Sequence, residues 1–599
     1  MSNGGYHPGD PKTYAVRPIN QGVFRNEPEA EVPKGGLLDA ANFIVGQKGP
    51  YRRPAILSFA GGASVSYPPV QHITSFWSTS GTKQTLLFDK KFMYKVTRDG
   101  LTQVTWEYNT GTVTVSSTST TTVSGSSTNW ITNMINAGDI ITIDPSGNAE
   151  VREITAVTSE SELEIDSSLD NTYSGASYKI DRAFRPNNQY RINTASKADK
   201  LYIADGNKPL VAYDGTSLSF HGDITDKIPT CVAYHGDRVF IANVLEGGNS
   251  LRHRIRWSNP LDDTNLINSG DTWWLDLPYV QGEIRRLVPL GPYLVAYFTD
   301  SVWLGRPTQR AGNALPYSFD RLDTAGIGLV GTHAVEEWLD SHIFVGGNDV
   351  YSLSVDRSLQ RIGSRIANDV VFERDELYNT QVAVDRRNRR VLIGFQGDGG
   401  RLEKMWGFQW DTQAWSYDVI NADMIGTSAI FESETWETIG DGADTWESID
   451  DRPWDVPAEE YYADTVWVGI NDKLYYYSKG GALDFDSNTI DGRLIFPDID
   501  NGRPDITKRF GRLSFAIDRI LANDLNFTVS VSTDRGITWN QLGRGTIPAG
   551  KTEGIAHFVL TSTIARFKIE TSSEVSPYYI TEVVFRIRGI GLQTDVTEG

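Results

Sequence analysis

The chain has 599 residues, of which 39% are hydrophobic, 22% charged and 11% aromatic. This composition is typical of globular domains, because a disordered chain has fewer aromatic and more charged residues. The 56 lysines and arginines against 76 aspartates and glutamates give a net charge of −20. Such a charge argues against a basic groove that grips nucleic acid, although DNA could still pass without binding.

The single cysteine, Cys231, excludes an internal disulfide framework and any cysteine-based metal site. It lies in a strand-like apolar run, which predicts a buried free thiol. No stretch approaches the roughly 18–20 apolar residues that cross a bilayer, and residues 1–11 lack the apolar core of a signal peptide. We therefore expect a soluble, non-secreted chain without stable membrane insertion.

A hairpin pattern recurs along the chain: an apolar strand, a turn rich in Asp, Asn or Gly, and a strand with Tyr, Phe or Trp. About seven such units, spaced by roughly 40–60 residues, indicate propeller blades, because one four-stranded blade cannot bury both of its faces alone. The alternative is a set of unrelated hairpins in several β-sandwiches. The copies lie at Thr85–Tyr94, Leu201–Tyr213, Arg238–Asn243 with Ile255–Trp257, Leu294–Leu304, His342–Leu353, Val391–Phe395 with Trp406–Trp410, and Trp467–Tyr477.

Two segments interrupt this pattern. Glu107–Lys179 opens with a Ser/Thr-rich stretch that alternates with β-branched residues, which predicts strand and a small inserted β-barrel. The segment 431–457 is acidic and carries Trp436, Trp446 and Trp454 in a partly repeated sequence. Exposed aromatic repeats often dock on a partner, so these tryptophans are candidate partner contacts. The alternative is that this loop covers the side of its own propeller.

From Ile506 to Ile590 the strands are longer and alternate strictly, which predicts a C-terminal β-sandwich. The predicted fold class is therefore all-β, with a β-propeller core, a small inserted β-barrel and a C-terminal β-sandwich. The predicted domains are an N-terminal arm leading into the propeller at 1–60, the first part of the propeller at 61–106, the barrel at 107–180, the remaining blades at 181–505 with the acidic loop at 431–457, and the sandwich at 506–599.

Two glycine-containing segments match known sequence patterns but lack the neighbouring strands and helices that those patterns need in order to function. Gly545–Thr552 fits the phosphate-binding loop, but no buried strand precedes it and Pro548 removes one N–H donor of the phosphate cradle. Gly326–Gly331 fits the dinucleotide fingerprint, but no series of alternating strands and helices surrounds it. We interpret the first as a hairpin turn and the second as a turn between blades.

A third motif is more specific. Ser532, Asp534, Gly536, Thr538 and Trp539 fit the Asp-box, a structural turn in which the aspartate caps a hairpin and the glycine takes a positive φ. Asp-boxes are known from sialidase propellers, so a carbohydrate-active propeller, sialidase-like or a capsule depolymerase, is one alternative function. Glycoside cleavage would need two positioned carboxylates, which spacing in an all-β chain cannot reveal.

Four arginines form a basic run in this acidic chain: Arg386, Arg387, Arg389 and Arg390. They could contact a neighbouring subunit or DNA phosphate, and the alternative is a solvated turn. The eight histidines show no metalloprotease motif, and no nucleophile elbow is present. We therefore predict no catalytic residues, no cofactor and no metal, so that the chain is not an enzyme.

The N-terminal region resembles the opening of short-tailed bacteriophage tail proteins called tail tubular protein B, the tail nozzle or tail hub. The resemblance rests on Gly22 and Val23, followed by Asn42, Gly49 and the pair Arg53–Pro54. It continues through the inserted segment, the hairpin at Phe298–Asp300, the Thr-Trp-Glu repeats and the Asp-box, and so covers most of the chain. The chain departs from the family in length and in the acidic tryptophan loop.

This resemblance implies a structural virion protein in the viral tail, assembled in the host cytoplasm. It implies a homohexameric ring below the portal and adaptor proteins, which forms the distal DNA-ejection channel and carries a tail fibre or spike. Viral DNA would pass through the channel transiently, and an acidic wall would keep it from adhering. Besides the carbohydrate-active enzyme, a further alternative is a receptor-binding propeller that does not self-assemble.

Overall fold

The structure is a computed structural model that describes residues 12–28, 31–60, 62–97, 100–186, 191–224, 226–260, 262–266, 272–277, 281–308, 317–322, 326–372, 379–397, 400–428, 464–478, 483–485, 487–499, 506–572 and 575–591. These residues form 49 strands and one short helix, α1 (Ala367–Phe372), which follows a 3₁₀ turn at Ser364–Ile366. None of the described helical residues forms a helix long and apolar enough to cross a membrane.

The chain divides into two compact units. The terminal unit comprises residues 1–63, 326–428 and 463–599, and the central unit comprises residues 64–325 and 429–462. Five short strands of the terminal unit precede the first blade: β1 (Lys12–Val16), β2 (Asp39–Ala41), β3 (Phe43–Gly46), β4 (Gly49–Arg52) and β5 (Ile56–Ser58).

The central unit contains four four-stranded antiparallel blades whose strands pair in chain order. The first strand of each blade contacts the first strand of the next, as in a propeller. The blades are β6 (His72–Trp77), β7 (Lys83–Phe88), β8 (Met93–Thr97) and β9 (Gly100–Gln103); β18 (Asn193–Lys197), β19 (Lys200–Ala204), β20 (Val211–Tyr213) and β21 (Leu218–Phe220); β22 (Lys227–His235), β23 (Arg238–Glu246), β24 (Asn249–Trp257) and β25 (Trp273–Asp276); and β26 (Ile284–Leu290), β27 (Tyr293–Phe298), β28 (Val302–Pro307) and β29 (Tyr317–Arg321).

Strand β19 shows why these sequences form stacked blades. Successive side chains of a strand point to opposite faces. Leu201 and Ile203 pack into the core shared with the first blade, and Tyr202 and Ala204 pack into the core shared with the third blade. A strand with apolar residues on both faces therefore has to lie between two other sheets.

The inserted domain lies between the first and second blades of the central unit. Its eight strands form one sheet, and the strands at both ends of the sheet order contribute to one core around Trp130, so the sheet is rolled into a barrel. The strands are β10 (Glu107–Tyr108), β11 (Thr112–Val115), β12 (Thr122–Ser126), β13 (Ile140–Ile143), β14 (Glu150–Ser159), β15 (Glu162–Ile165), β16 (Tyr173–Ala176) and β17 (Tyr178–Asp181).

The barrel is fixed to the second blade by a buried ion pair. Lys208 Nζ lies 2.6 Å from Asp139 Oδ1, and both side chains are at most 1% exposed. Asp139 Oδ1 also accepts the backbone N–H of Ala183 at 2.9 Å. The Lys208 ammonium further lies 5.2 Å from the ring centre of Trp106, and Arg182 stacks over the same ring. Direct, desolvated contacts of this kind hold the barrel in one orientation on its blade.

The terminal unit contains three more blades. The third is completed by β5, which pairs with its last strand, so a strand from before the first blade closes the last one. The blades are β30 (Val335–Trp338), β31 (Ser341–Val345), β32 (Val350–Ser354) and β33 (Leu359–Arg361); β34 (Gln381–Asp385), β35 (Arg390–Gln396), β36 (Leu402–Gln409) and β37 (Ala414–Ala422); and β38 (Met424–Ser428), β39 (Thr465–Ile470) and β40 (Lys473–Tyr477) with β5.

The C-terminal sandwich packs a sheet in the order β1-β49-β44-β47 against a layer in the order β43-β48-β45-β46. Phe510 and Phe585 of the first sheet both contact Phe567 of the second layer. Strand β2 pairs with β37 and with β43, and thereby joins a blade to the sandwich. The remaining strands are β41 (Leu483–Asp484), β42 (Asn488–Thr489), β43 (Gly492–Ile495), β44 (Thr507–Ile517), β45 (Leu525–Ser532), β46 (Asn540–Ile547), β47 (Glu553–Ser562), β48 (Arg566–Thr571) and β49 (Ile580–Gly591).

The predicted fold class is confirmed: the chain is all-β with propeller blades, an inserted barrel and a C-terminal sandwich. The seven predicted hairpins are the two middle strands of the seven blades in the described residues. The sandwich recruits strands from outside 506–599, because β1 and β43 pair with it. These strands are too short to show a periodicity of their own. Cys231 is buried and unpaired, as predicted, and burial raises its pKa to about 12.

Candidate functional site

The arginine run at 386–390 forms the turn between β34 and β35. Arg386 Nε lies 3.0 Å from Asp464, and Arg389 lies 3.2 Å from Asp411. Both arginine side chains are more than half exposed, so these are surface ion pairs of small energetic value. Arg387 is half-buried.

Arg390 differs from its neighbours because it is buried. Its side chain is 1% exposed, Nε donates to Asp385 at 3.0 Å, and a terminal nitrogen lies 2.9 Å from Asp418. The carboxylates of Asp418 and Asp385 hold its pKa above the ordinary value despite burial, which would lower it. Arg390 cannot reach a subunit or DNA phosphate, so the sequence prediction is wrong for this residue.

Arg53, one of the residues that carries the family resemblance, belongs to the same buried network. Its guanidinium binds Asp484 through both terminal nitrogens, one of them at 2.9 Å, and its Nε lies 3.9 Å from Asp418. Burial lowers the pKa of Arg53, but the hydrogen bond and charge of Asp484 outweigh it, so the pKa is raised. Tyr477 donates to Asp418 at 2.8 Å. The network joins the N-terminal arm to two blades.

Asn42 and Gly49, two more of the residues on which the family resemblance rests, occupy positions with a positive φ and close contacts to other segments. Asn42 has a φ of +59°, accepts from Arg53 at 3.0 Å and from the backbone of Val419 at 2.9 Å, and donates to the backbone of Asp491 at 2.7 Å. Gly49 has a φ of +126°, and a Cβ there would lie 2.3 Å from the carbonyl oxygen of Ile580. The motif therefore encodes how the N-terminal arm is packed within the terminal unit.

Replacing Gly49 with alanine is expected to lower the free energy of unfolding of the terminal unit by at least about 2 kcal/mol, because the new Cβ meets backbone and the φ is strained. Gly46 in the same hairpin is the matched control, since a Cβ there has no atom closer than 3.9 Å. Calorimetry on both variants measures the difference. Equal melting temperatures for Gly49→Ala and Gly46→Ala would contradict the packing described above.

A second cluster of titratable groups surrounds Asp263 in the central unit. Tyr202 donates to its carboxylate at 2.5 Å, and the ammonium groups of Lys197 and Lys200 lie 3.2 and 3.0 Å away. These hydrogen bonds and charges outweigh burial and hold the pKa of Asp263 well below its usual range. The pKa of neighbouring His221 is lowered by burial. A carboxylate so stabilised is a poor proton acceptor, and the cluster ties two blades together rather than forming an acid–base pair.

His72 makes the stability of the first blade depend on pH. Its ring stacks on Phe88, and burial, with Arg286 and Arg191 nearby, lowers its pKa to about 3 from 6.5. Between pH 3 and pH 6.5 the folded state therefore binds fewer protons than the unfolded state. The contribution of neutral, buried His72 to the free energy of unfolding is complete above pH 6.5 and is lost as the pH falls toward 3.

We expect the melting temperature of the central unit to fall between pH 7.5 and pH 5, and the fall to be smaller in His72→Gln. His557→Gln is the control, because His557 is exposed on the sandwich. Scanning calorimetry at both pH values measures this, and a pH dependence unchanged by His72→Gln would contradict the assignment.

The Asp-box forms the turn between β45 and β46. Ser532 Oγ donates to Asp534 Oδ1 at 2.6 Å and accepts the N–H of Gly536 at 2.7 Å, while Asp534 accepts the N–H of Thr538 at 2.9 Å. These hydrogen bonds lower the pKa of Asp534 to about 2. Lys568 stacks over the half-buried ring of Trp539. The side chains of Ser532, Asp534 and Thr538 are therefore hydrogen-bonded to one another or to backbone N–H groups within the turn.

A cavity of about 750 Å³ lies in the terminal unit between the N-terminal arm and the sandwich. Tyr14 and Phe496 are among its apolar walls, and its charged lining residues are Lys34, Asp498 and Arg535. Asp498, the one carboxylate in the described lining, is held by Arg566 at 2.9 Å. The described lining therefore lacks the two carboxylates that glycoside cleavage needs. Within the described ranges, no group of three or more metal-ligating residues is present.

Two other sequence interpretations concern loops. Gly545–Thr552 spans the end of β46 and the turn to β47, and no helix follows it. Gly326–Gly331 precedes β30 in the part of the chain that is described, and Gly326 has a φ of +72°. Trp436, Trp446 and Trp454 lie outside the described residues.

One surface feature was missed by the sequence reasoning. On the outer face of the sandwich, Arg509 lies directly opposite Arg588, and Arg512 lies directly opposite Arg586, in the pairing of β44 with β49. We call these four residues the arginine face. The alternation of Arg586 and Arg588 along β49 signals a shared face, but the pairing with β44 depends on a bulge between Phe510 and Arg512 that no sequence rule gives.

Comparison with known proteins gives no family. No family model matches the chain, and no curated protein matches it significantly. Among solved structures, the chain is similar to the computationally designed Ika8 protein (8% identity, TM-score 0.31, 71% of this chain and 100% of that one). It is similar to YCF48 bound to D1 peptide (13%, 0.30, 71% and 98%) and to BamB from Moraxella catarrhalis (10%, 0.23, 37% and 59%). The fold assignment rests on the sheets described above.

Proposed function

We propose that the chain is a structural protein of a short-tailed bacteriophage virion. Six copies would form a ring, the tail nozzle or hub, below the portal and adaptor. The ring would make the distal part of the DNA-ejection channel and carry a fibre or spike. The protein would have no catalytic residue, cofactor or metal.

The observation that carries the proposal is the structural role of Asn42, Gly49 and Arg53 in the N-terminal arm. Three of the residues on which the family resemblance rests are buried or strained. Asn42 and Arg53 form hydrogen bonds with distant parts of the terminal unit, and Gly49 leaves no room for a Cβ beside the backbone of Ile580. Such residues define how a fold is assembled, which supports reading the resemblance as a shared architecture.

Two physical properties agree with this role. The barrel is fixed to its blade by the buried pair Lys208–Asp139, and Arg53 and Arg390 bind blades and arm together. Rigid flanks suit subunits that have to form a closed ring. The net charge of −20 would let a polyanion slide past without adhering.

Immunogold labelling of purified virions tests the proposal. We expect gold particles at the tail end opposite the capsid, and tails missing from particles made without the chain. Labelling of infected cells but not of virions would overturn the proposal. Incubation with host capsule polysaccharide tests the carbohydrate-active alternative, and we expect no new reducing ends.

A further inference from the structure

The arginine face is a concentrated positive surface on an acidic chain. Arg509, Arg586 and Arg588 are exposed and Arg512 is half-buried. None of the four has a carboxylate within 4.0 Å among the described residues. Like charges directly opposite each other in a sheet are destabilising. The arrangement therefore favours a bound anionic partner, which would relieve the repulsion.

The neighbours of the arginine face indicate a protein partner. On the adjoining strand β47, Ile555 is 37% and Val559 is 65% exposed. Val559 shares the outward alternation of His557, which lies opposite Arg512. Aliphatic side chains next to arginine are typical of protein interfaces, where arginine is enriched and lysine depleted. A phosphate backbone would leave these aliphatic side chains without an apolar contact.

Charge is distributed unevenly along the chain. Residues 506–591, which contain the arginine face, have eleven basic and seven acidic residues, a net charge of +4. Residues 107–181, which form the barrel, have two basic and eleven acidic residues, a net charge of −9. A second copy of the chain therefore offers an anionic surface that complements the arginine face.

The outer side of barrel strand β15 carries part of this negative charge. Glu162 and Glu164 alternate with the buried residues Leu163 and Ile165, and so project from the same face. Glu162 is exposed, while Glu164 is half-buried and accepts hydrogen bonds from Thr121 and Thr122. Asp166 follows in an exposed position.

We propose that the arginine face of one copy binds the acidic barrel of a second copy around Glu162, Glu164 and Asp166. The two surfaces differ, so the contact is heterologous, and repeating it generates a closed ring when the rotation between copies allows closure. The inference deepens the proposed function, on which it rests, by assigning the two surfaces that would join neighbouring subunits.

Charge reversal with complementation tests this contact. The variant R586E/R588E makes the arginine face acidic, and the variant E162R/E164R makes the barrel basic. Each variant alone is expected to self-associate at least about tenfold more weakly than the wild type at low salt, and this difference is expected to shrink at high salt. Sedimentation velocity over a concentration series measures self-association, and thermal unfolding verifies the fold of each variant.

Mixing the two variants is the decisive experiment. In an equimolar mixture, the acidic face of the first variant meets the basic barrel of the second, and the unchanged face of the second meets the unchanged barrel of the first. We therefore expect association to return. R544E/K551E is the matched control, because it changes the same net charge at exposed positions of the same sandwich, away from the arginine face.

Three results would overturn the inference: a wild type that never self-associates, R586E/R588E that associates like the wild type, or two defective variants whose mixture remains dissociated. Binding of a DNA duplex that is lost in R586E/R588E, with self-association unchanged, would also overturn it by assigning the face to phosphate. A wild type that never self-associates, alone or on the adaptor, would contradict the proposed ring as well. The other results leave the proposed function standing, because it fails if virions lack the chain, whatever surface joins its copies.

Discussion

Replacing Arg53 with methionine is expected to lower the free energy of unfolding of the terminal unit by about 3–5 kcal/mol, because a buried ion pair that loses one partner leaves an uncompensated charge. Asp484 would lose its bidentate partner and Asp418 one of its two nearby cations, in a site that is nearly inaccessible to solvent. Methionine keeps most of the length of the side chain, so the loss of charge dominates the effect.

Hydrogen exchange monitored by mass spectrometry measures this effect, because the chain has several units and a single two-state transition is not expected. Peptides that cover β5 and β37 should exchange faster in Arg53→Met. The control is Arg386→Met, whose side chain is 53% exposed in its ion pair, so a change below about 1 kcal/mol is expected. Similar exchange in the two variants would contradict the role of the buried network.

Replacing Lys208 with methionine is expected to destabilise the attachment of the barrel to its blade by about 3–5 kcal/mol, for the same reason. Asp139 would keep backbone donors, among them the N–H of Ala183, but would lose its counter-ion. We expect limited proteolysis to cleave near the two connections of the barrel faster than in the wild type, while the barrel core around Trp130 remains protected.

Lys197→Met in the same blade is the control for this change. Lys197 is 34% exposed and shares Asp263 with Lys200, so its loss leaves that carboxylate paired. A change below about 1 kcal/mol is expected for this variant. Equal protease sensitivity of Lys208→Met and the wild type would show that other contacts hold the barrel.

The repeated part of the fold could be predicted from the sequence because its signal is local. Each blade contains one hairpin of two apolar strands whose turn residues are Asp, Asn or Gly, as at Leu201–Tyr213. The outer strands of the blades were harder to predict. Leu218–Phe220 and Leu359–Arg361, for example, have three residues each, which is too few to show a period of two.

Long-range pairings could not be predicted in the same way. Strand β5 completes a blade whose other strands begin more than 360 residues later, and β1 joins the sandwich at the other end of the chain. Arg390 illustrates the consequence for candidate sites. Its position in a basic run predicts exposure, but its strand brings it against Asp418, and burial with that partner removes it from the surface.

The arginine face could have been suspected from the charge of each domain, since the sandwich carries +4 and the barrel −9 within a chain of −20. The total charge conceals this difference. The position of the four arginines on one face could not be predicted without the register of β44 against β49, because only this pairing places Arg512 beside Arg586.

The mass of the purified chain in solution, measured by light scattering with and without its portal and adaptor proteins, tests the central claim most directly. The claim that the chain is a ring-forming tail protein predicts a closed assembly of six times the chain mass of 66.5 kDa, alone or on the adaptor. A monomer under both conditions would contradict it.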